Sequence, residues 1–152
     1  MDIRKVPVTD TYLLRRLVLR AGLPLESCQF PEDEIEGAFH LAKFDSKNFI
    51  VAVASFSPQT HMSLAQNSVR RPYRLRGMAT HPDFQGSGLG SALVEEAFKI
   101  LRELGCDLLW CHARSSARRF YEKSGFVTCG AEFDTLPIGP HFLMTKSLEL
   151  IQ

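Results

Sequence analysis

The chain has little that would place it outside ordinary globular proteins, and each absence removes a class. No apolar run approaches the roughly 20 residues that a helical membrane span needs, so no membrane role is expected. The opening, MDIRKVPVTD, has neither an apolar central region nor a small-residue cleavage site, so no signal peptide is expected. Cysteine is sparse. Cys28, Cys106, Cys111 and Cys129 form no CxxC pair and follow no zinc spacing, which excludes a disulfide scaffold or a zinc module. They read as reduced thiols in the cytoplasm. The basic excess of a nucleic-acid binder is also missing, since net charge is +1. Internal repeats and low-complexity tracts are absent.

What is present suits one domain over residues 1–152. A chain of 152 residues buries roughly two-thirds of its surface on folding, enough for a real core. The patterning reads as follows. Ile3 to Val8 alternates as a strand. Thr9 is expected to cap a helix in which Leu13, Leu14, Leu17 and Val18 share the buried face while Arg15, Arg16 and Arg20 point elsewhere. Residues 23–37 read as a loop, with a turn of helix as the alternative, and carry the acidic cluster Glu32, Asp33, Glu34 and Glu36. Strands are expected at 38–44 and 48–57, the second apolar almost throughout and so covered on both faces, and at 73–81. A helix follows over 88–104 with Leu89, Leu93, Ala97, Ile100, Leu101 and Leu104 as its stripe, capped by Gly105. Then come a strand at 108–113, a short helix at 115–124, and strands at 126–133 and 141–148. This order predicts an α/β fold with a mixed sheet rather than a doubly wound parallel one.

The informative segment is Met78-Ala-Thr-His-Pro-Asp-Phe-Gln85-Gly-Ser-Gly-Leu-Gly90-Ser91. A strand runs into a loop with glycines at 86, 88 and 90, and the loop opens the long helix. Glycines let the backbone close around an anion, and the first-turn amides of the helix add the positive end of its dipole. Such a cradle needs no lysine. Two other phosphate loops are excluded: no Lys-Ser or Lys-Thr follows the glycines, and their spacing is GxGxG rather than GxGxxG. The alternative is an empty helix-entry loop, for which three glycines are costly.

The run Gln85-Gly-Ser-Gly-Leu-Gly90 resembles the (Gln/Arg)-x-x-Gly-x-(Gly/Ala) signature of the GNAT superfamily of acetyl-CoA-dependent N-acetyltransferases. Upstream, Leu75 to Pro82 is similar to the family's bulged fourth strand. Downstream, Ala117-Arg-Arg-Phe-Tyr121-Glu-Lys-Ser-Gly125-Phe126 resembles its A-x-x-(F/L)-Y-x-x-x-G-F segment. The resemblance implies a mostly antiparallel sheet of about six to seven strands with splayed fourth and fifth strands, flanked by helices. Its implied cosubstrate is acetyl-CoA, with no metal. Backbone groups of Met78, Ala79 and Thr80 would pair with pantetheine. The amides of Gln85, Gly86, Ser87, Gly88, Leu89, Gly90 and Ser91 would hold the pyrophosphate. An N–H near Met78 or Ala79 would stabilise the oxyanion. Tyr121 matches the tyrosine that protonates the departing thiolate. The alternative for Tyr121 is core packing, a role for which Phe120 is the better candidate.

For the general base, His112, Glu132, Asp134 and His141 all stand as candidates beside a chain of waters, with His112 taken forward. His81, before Pro82, reads as structural. Where many family members carry an asparagine seven residues before the tyrosine, this chain has Arg114. Arg114, Arg118 and Arg119 either reach CoA phosphates or form a solvated face. Cys111 alternates with Leu109 and Ala113, opposite His112, so a buried thiol is favoured over a covalent acetyl carrier. Trp110 shares the face of His112, as core or acceptor wall.

The acceptor, a small amine or a peptide, is expected to meet residues 21–37, 58–72 and 130–141. The acidic cluster reads as solvated, with attraction of a cationic amine as the alternative. Phe30, Phe39 and Phe133 suit either a pocket or the core. The resemblance thus implies acetyl transfer to a primary amine by direct attack in a ternary complex. A non-catalytic acyl-CoA-binding or sensor module of the same fold is the alternative. It admits a homodimer, although no residue pattern specifies an interface.

Overall fold

The computed structural model describes residues 2–64 and 69–148. Its strands are β1 (Ile3–Lys5), β2 (Phe39–Phe44), β3 (Ile50–Pro58), β4 (Pro72–Thr80), β5 (Leu108–Arg114), β6 (Val127–Thr135) and β7 (Gly139–Ser147). Its α-helices are α1 (Tyr12–Leu14), α2 (Leu89–Glu103) and α3 (Arg118–Lys123). The strands follow the order β1-β2-β3-β4-β5-β7-β6. The β4–β5 pair is parallel and the pairs β1–β2, β2–β3, β5–β7 and β6–β7 are antiparallel. The mixed sheet and its element order are those expected.

Two compact units divide the chain. The first takes Met1–Pro58 and Leu75–Ala97, and the second takes Gln59–Arg74 and Phe98–Gln152. In the first unit β3 is buried from Val51 to Ser57, which its apolar run requires. Its turn from β2 is set locally. Asp45 Oδ1 accepts from the amides of Lys47 and Phe49, both at 2.9 Å, and Asn48 takes the left-handed conformation at φ +67°. Leu14, Ala42, Phe44, Val53 and Ala79 form one apolar cluster there. In the second unit Leu64, Leu108, Trp110 and Leu143 form another, with Cys129 and Phe133 against it.

The start of the chain departs from expectation. β1 ends at Lys5; the Val6 amide still bonds to His40 O at 3.0 Å, but Pro7 has no N–H with which to continue the ladder. Thr9 caps nothing. It lies inside a 3-10 turn, Val8–Thr11, whose start has no side-chain cap. After α1 the chain widens into a π turn over Arg15–Leu19, closed by Arg20 N–H to Arg15 O at 2.9 Å. Of the expected stripe Leu14 is buried and Val18 packs against the core, whereas Leu17 is exposed. Leu13 is 83% exposed, whereas Arg15 is completely buried.

α2 follows most of its expected stripe, but Leu89 and Ile100 are half-buried and Leu104, just past its end, is exposed. Leu93, Ala97 and Leu101 are buried, joined by Val94 and Phe98. Each such side chain contributes about 1.5–3 kcal/mol when fully buried, except the smaller alanine. The helix stops where Gly105 turns left-handed at φ +79°. There Gly105 N–H reaches Arg102 O at 3.1 Å and Cys106 N–H reaches Leu101 O at 2.9 Å, which satisfies two end carbonyls.

Candidate functional site

The glycine-rich loop is built by local bonds. His81 Nδ1 accepts from Asp83 N–H at 3.1 Å, and His81 N–H donates to Val51 O at 2.8 Å, which agrees with a structural histidine. Gln85 Nε2 donates to Thr80 O at 3.1 Å, and Ser87 Oγ donates to Phe84 O. These side chains therefore brace the loop. Its backbone is what remains to meet a ligand.

Gly86 and Gly88 lie at φ +81° and +84°, and a Cβ added at either would meet nothing within 4 Å. The positive φ values, not crowding, call for glycine there. Gly90 is buried in the first turn of α2. The bond from Ala92 N–H to Gly88 O is 3.1 Å, and the amides of Leu89, Gly90 and Ser91 precede it at the helix entrance, where no carbonyl one turn back can receive them. An exposed backbone with these amides fits a pyrophosphate.

The first unit also holds a buried polar cluster that sequence reading missed. Arg15 donates from Nη1 to Asp33 Oδ2 at 2.7 Å and Cys28 O at 2.8 Å. From Nη2 it donates to Asp33 Oδ1 at 2.9 Å and Ser55 Oγ at 2.7 Å. Ser55 Oγ is 2.7 Å from His40 Nδ1, and His40 Nε2 is 3.0 Å from Asp33 O. A carbonyl only accepts, so Nε2 carries the proton and Nδ1 accepts from Ser55. Burial holds the His40 pKa below its usual value, against the bond to Asp33 O, which raises it. The Phe30 ring meets the guanidinium carbons of Arg15 at 4.1 Å and Arg76 at 3.9 Å. Arg76 in turn pairs with Glu32 at 2.5 Å.

The acidic cluster is therefore not a uniformly solvated run. Asp33 and Glu32 are engaged by arginines, while Glu34 and Glu36 are exposed. Phe30 and Phe39 are buried. No spacing announced this arrangement, because Asp33 lies 18 residues beyond Arg15 and Ser55 lies 40 beyond it.

In the second unit Tyr121 is buried on α3, with the rings of Phe120 and Phe126 at 4.9 and 5.3 Å. This reverses the expected packing assignment, because Phe120 is only half-buried. Burial first, and Cys111 second, push the phenol pKa well above its usual value, opposed by Arg114. Cys111 is buried with Leu109 and Ala113, as alternation predicts, and burial raises its thiol strongly. Burial also pushes Cys106 up to about 11. Both thiols stay protonated at neutral pH and are poor nucleophiles.

His112 is half-buried, with the rings of His61, Trp110 and Phe133 at 5.3, 5.3 and 4.9 Å. Arg74 Nη2 is 3.5 Å from its Nδ1. His141 is buried; its Nδ1 is 2.8 Å from Gly139 O, and its ring stacks on Phe133 at 6.0 Å. The structure thus gathers His112, Phe133 and His141. Glu132 and Asp134 stay exposed on β6, and Glu132 accepts from Ser115 Oγ at 2.7 Å. Arg118 and Arg119 are exposed, Arg118 beside Glu122 at 3.5 Å, while Arg114 is half-buried. Gln59, His61 and Arg74 were not singled out by the sequence reading. Among the described residues no group of three or more His, Cys, Asp and Glu side chains is placed to hold a metal, and no helix is long and apolar enough to cross a membrane.

Residues 12–126 match the acetyltransferase (GNAT) family. An uncharacterized N-acetyltransferase, YitI, of Bacillus subtilis (strain 168) is 38% identical over 148 residues, 97% of each chain. Among solved structures, an aminoglycoside 6'-N-acetyltransferase complexed with coenzyme A superposes with a TM-score of 0.76 at 15% identity, over 100% of this chain and 99% of that one. The ribosomal-protein-S18-alanine N-acetyltransferase of Escherichia coli does so with a TM-score of 0.73 at 19% identity, over 99% and 96%. At those identities the likeness is one of fold.

Proposed function

The chain belongs to the GNAT family of N-acetyltransferases, and from that premise we propose that it moves an acetyl group from acetyl-CoA to a primary amine by direct attack in a ternary complex. The observation that carries the reading is the loop at Gly86 and Gly88, left-handed, exposed and followed by the entrance of α2. Its amides, from Gln85 to Ser91, bind the pyrophosphate. The β4–β5 register covers Pro72–Arg74 against Leu108–Trp110, and β4 runs on to Thr80. Backbone groups of Met78, Ala79 and Thr80 are then the ones that pair with pantetheine.

Acetyl-CoA supplies an activated thioester. The chain's own groups do the rest. An amide at Met78 or Ala79 donates to the thioester carbonyl and holds the charge that grows on its oxygen, worth about 3–4 kcal/mol for one well-placed donor. His112 takes the proton that the amine loses as its nitrogen bonds to the acetyl carbon. For this the imidazole Nδ1 must turn from Arg74. Tyr121 gives its proton to the sulfur as the carbon–sulfur bond breaks. The buried phenol is protonated throughout the neutral range, so the acid is loaded before each turnover. Cys111, also held protonated, takes no acetyl group. We read residues 1–152 as one catalytic domain acting in the cytoplasm on a small amine or a peptide.

The test is CoA release from acetyl-CoA with a mixed pool of amines and peptides, with mass spectrometry of the products. An acetylated amine is the expected result, with Tyr121→Phe slowing turnover by roughly a hundredfold while acetyl-CoA still binds. Binding of acetyl-CoA without transfer to any amine or peptide would instead identify an acyl-CoA-binding module.

A further inference from the structure

Gly77 places a left-handed residue, φ +68°, inside β4. Around it Leu75 and Ala79 are buried, while Arg76, Met78 and Thr80 are half-buried. A left-handed glycine within a strand bends it and re-aims the groups that follow. Glycine accepts this conformation but does not enforce it, because it visits both signs of φ about equally. Something outside residue 77 must hold the angle.

The first unit supplies that hold. Where a Cβ of residue 77 would stand, Arg15 Nε is 2.9 Å away, Phe30 Cε2 is 3.3 Å away and Arg15 Nη2 is 3.4 Å away. The Phe30 ring meets the guanidinium carbons of Arg15 and Arg76 at 4.1 and 3.9 Å. The turn Pro31–Glu34 grips both arginines. Asp33 takes both arms of Arg15 at 2.7 and 2.9 Å, and Glu32 pairs with Arg76 at 2.5 Å. β4 is thereby held at residue 76 by an ion pair and at residue 77 by close packing. Arg15 is completely buried, yet its Nε has no hydrogen-bond partner. A buried orphan donor calls for a reason, and this one is the atom nearest to the missing Cβ of Gly77. A buried ion pair adds little net stability over apolar residues of the same size. Geometry is what this one contributes.

The peptide after Gly77 is planar, so the backbone angles of residue 77 set where the Met78 N–H points. That N–H is one of the two amides assigned to the thioester carbonyl. We propose that Arg15 is a positioning residue for acetyl transfer. With Phe30 it locks Gly77, and through Gly77 it aims the Met78 N–H at the oxygen on which charge grows. This rests on the acetyl-transfer reading for the role of that amide.

The chain has four methionines, one of them Met1. Isotopic labelling of methionine nitrogen therefore leaves three backbone amide signals in an NMR spectrum, those of Met62, Met78 and Met144. In the double variant Arg15→Met, Asp33→Leu, which removes the clamp and both charges, the Met78 signal is expected to move while the other two hold. Its kcat is expected to fall about tenfold to a hundredfold, with KM for acetyl-CoA within about threefold of the unmodified chain. The donor is then misaimed while the glycine-rich loop still holds the pyrophosphate. Val8→Ala, at a buried position in the 3-10 turn before α1, is the control for lost stability alone. It is expected to melt lower with kcat and the Met78 signal unchanged. If the double variant does not fold, Phe30→Leu opens the other side of Gly77, leaves the ion pair whole, and carries the same kinetic expectation.

An unmoved Met78 signal, or an unchanged kcat in the folded variant, would overturn the proposal. So would an equal loss of kcat in Val8→Ala. Adding acetyl-CoA separates this failure from failure of the underlying reading. A Met78 signal that answers acetyl-CoA in the unmodified chain and the variant alike, with equal kcat, rejects the clamp and leaves acetyl transfer standing. A Met78 signal of the unmodified chain that ignores acetyl-CoA rejects that amide as the donor, and the proposal falls with it.

Discussion

Arg15 and Asp33 meet two-on-two, both guanidinium arms against both carboxylate oxygens at 2.7 and 2.9 Å, with the arginine completely buried. A charge removed from water in this way is tolerable only with its partner present. Asp33→Asn keeps the shape and removes the countercharge. It is expected to lower unfolding stability by about 3–5 kcal/mol, measured by urea denaturation. The double variant Arg15→Met, Asp33→Leu, which removes both charges, is expected to lose less than the single one. A loss below about 1 kcal/mol for Asp33→Asn would mean that the pair behaves as a solvated one.

Gly77 sits beneath that pair. Its φ is +68°, and an added Cβ would stand 2.9 Å from Arg15 Nε and 3.3 Å from Phe30 Cε2. Gly77→Ala therefore meets both backbone strain and a clash with a side chain held by four hydrogen bonds. The expected cost is about 1–3 kcal/mol for the strained conformation, and more for the clash. Thermal unfolding of the variant checks it.

Gly88→Ala probes the same conformational need without the clash, since the space beside Gly88 is open. Its strain of about 1–2 kcal/mol falls on an exposed loop. The melting temperature is expected to move little, while acetyl-CoA affinity falls by roughly tenfold. Calorimetric titration of acetyl-CoA measures this. Unchanged affinity would show that the loop does not hold the cosubstrate.

His40 gives the fold a pH dependence. Burial lowers its pKa in the folded chain from the usual 6.5. Above that value the imidazole is neutral in both states and its contribution is complete. Below it the unfolded chain takes up a proton that the folded site resists, so stability falls with pH until the lower folded pKa is passed. Unfolding free energies measured from about pH 8 to pH 5 are expected to decline, and His40→Gln should flatten the slope over that window. A slope unchanged in the variant would assign the effect to another group.

The strands of the sheet were legible because their patterns are local. β3 needs only its own apolar run to be placed centrally; the two strands after α3 follow from the break at Pro137, although Gly139 and Pro140, expected in that break, open β7 itself. The glycine-rich loop was legible for the same reason: a left-handed φ is a property of one residue, and glycine is the residue that accepts it. The end of α2 at Gly105 follows from the same preference.

Where packing chooses between neighbours, the sequence was silent or misleading. Phe120 and Tyr121 are adjacent aromatics on a short helix, and only contact with Phe126 decides which turns inward. Leu13 and Leu17 look like part of a buried stripe, yet both are exposed and Arg15 lies inside instead. A buried guanidinium is stable only when carboxylate, hydroxyl and carbonyl all reach it. Here they come from Asp33, Ser55 and Cys28, three places far apart in the chain. The cluster around Arg74 likewise needs β4, β5 and the segment before β4 to meet.

By itself, then, the sequence determined the order of elements, the central strand, the glycine-rich loop and through it the family, because each is a property of a short run of backbone. The tertiary structure alone decided which charges are inside and which aromatic faces inward, because the energy of a buried polar group belongs to its partners and not to the residue.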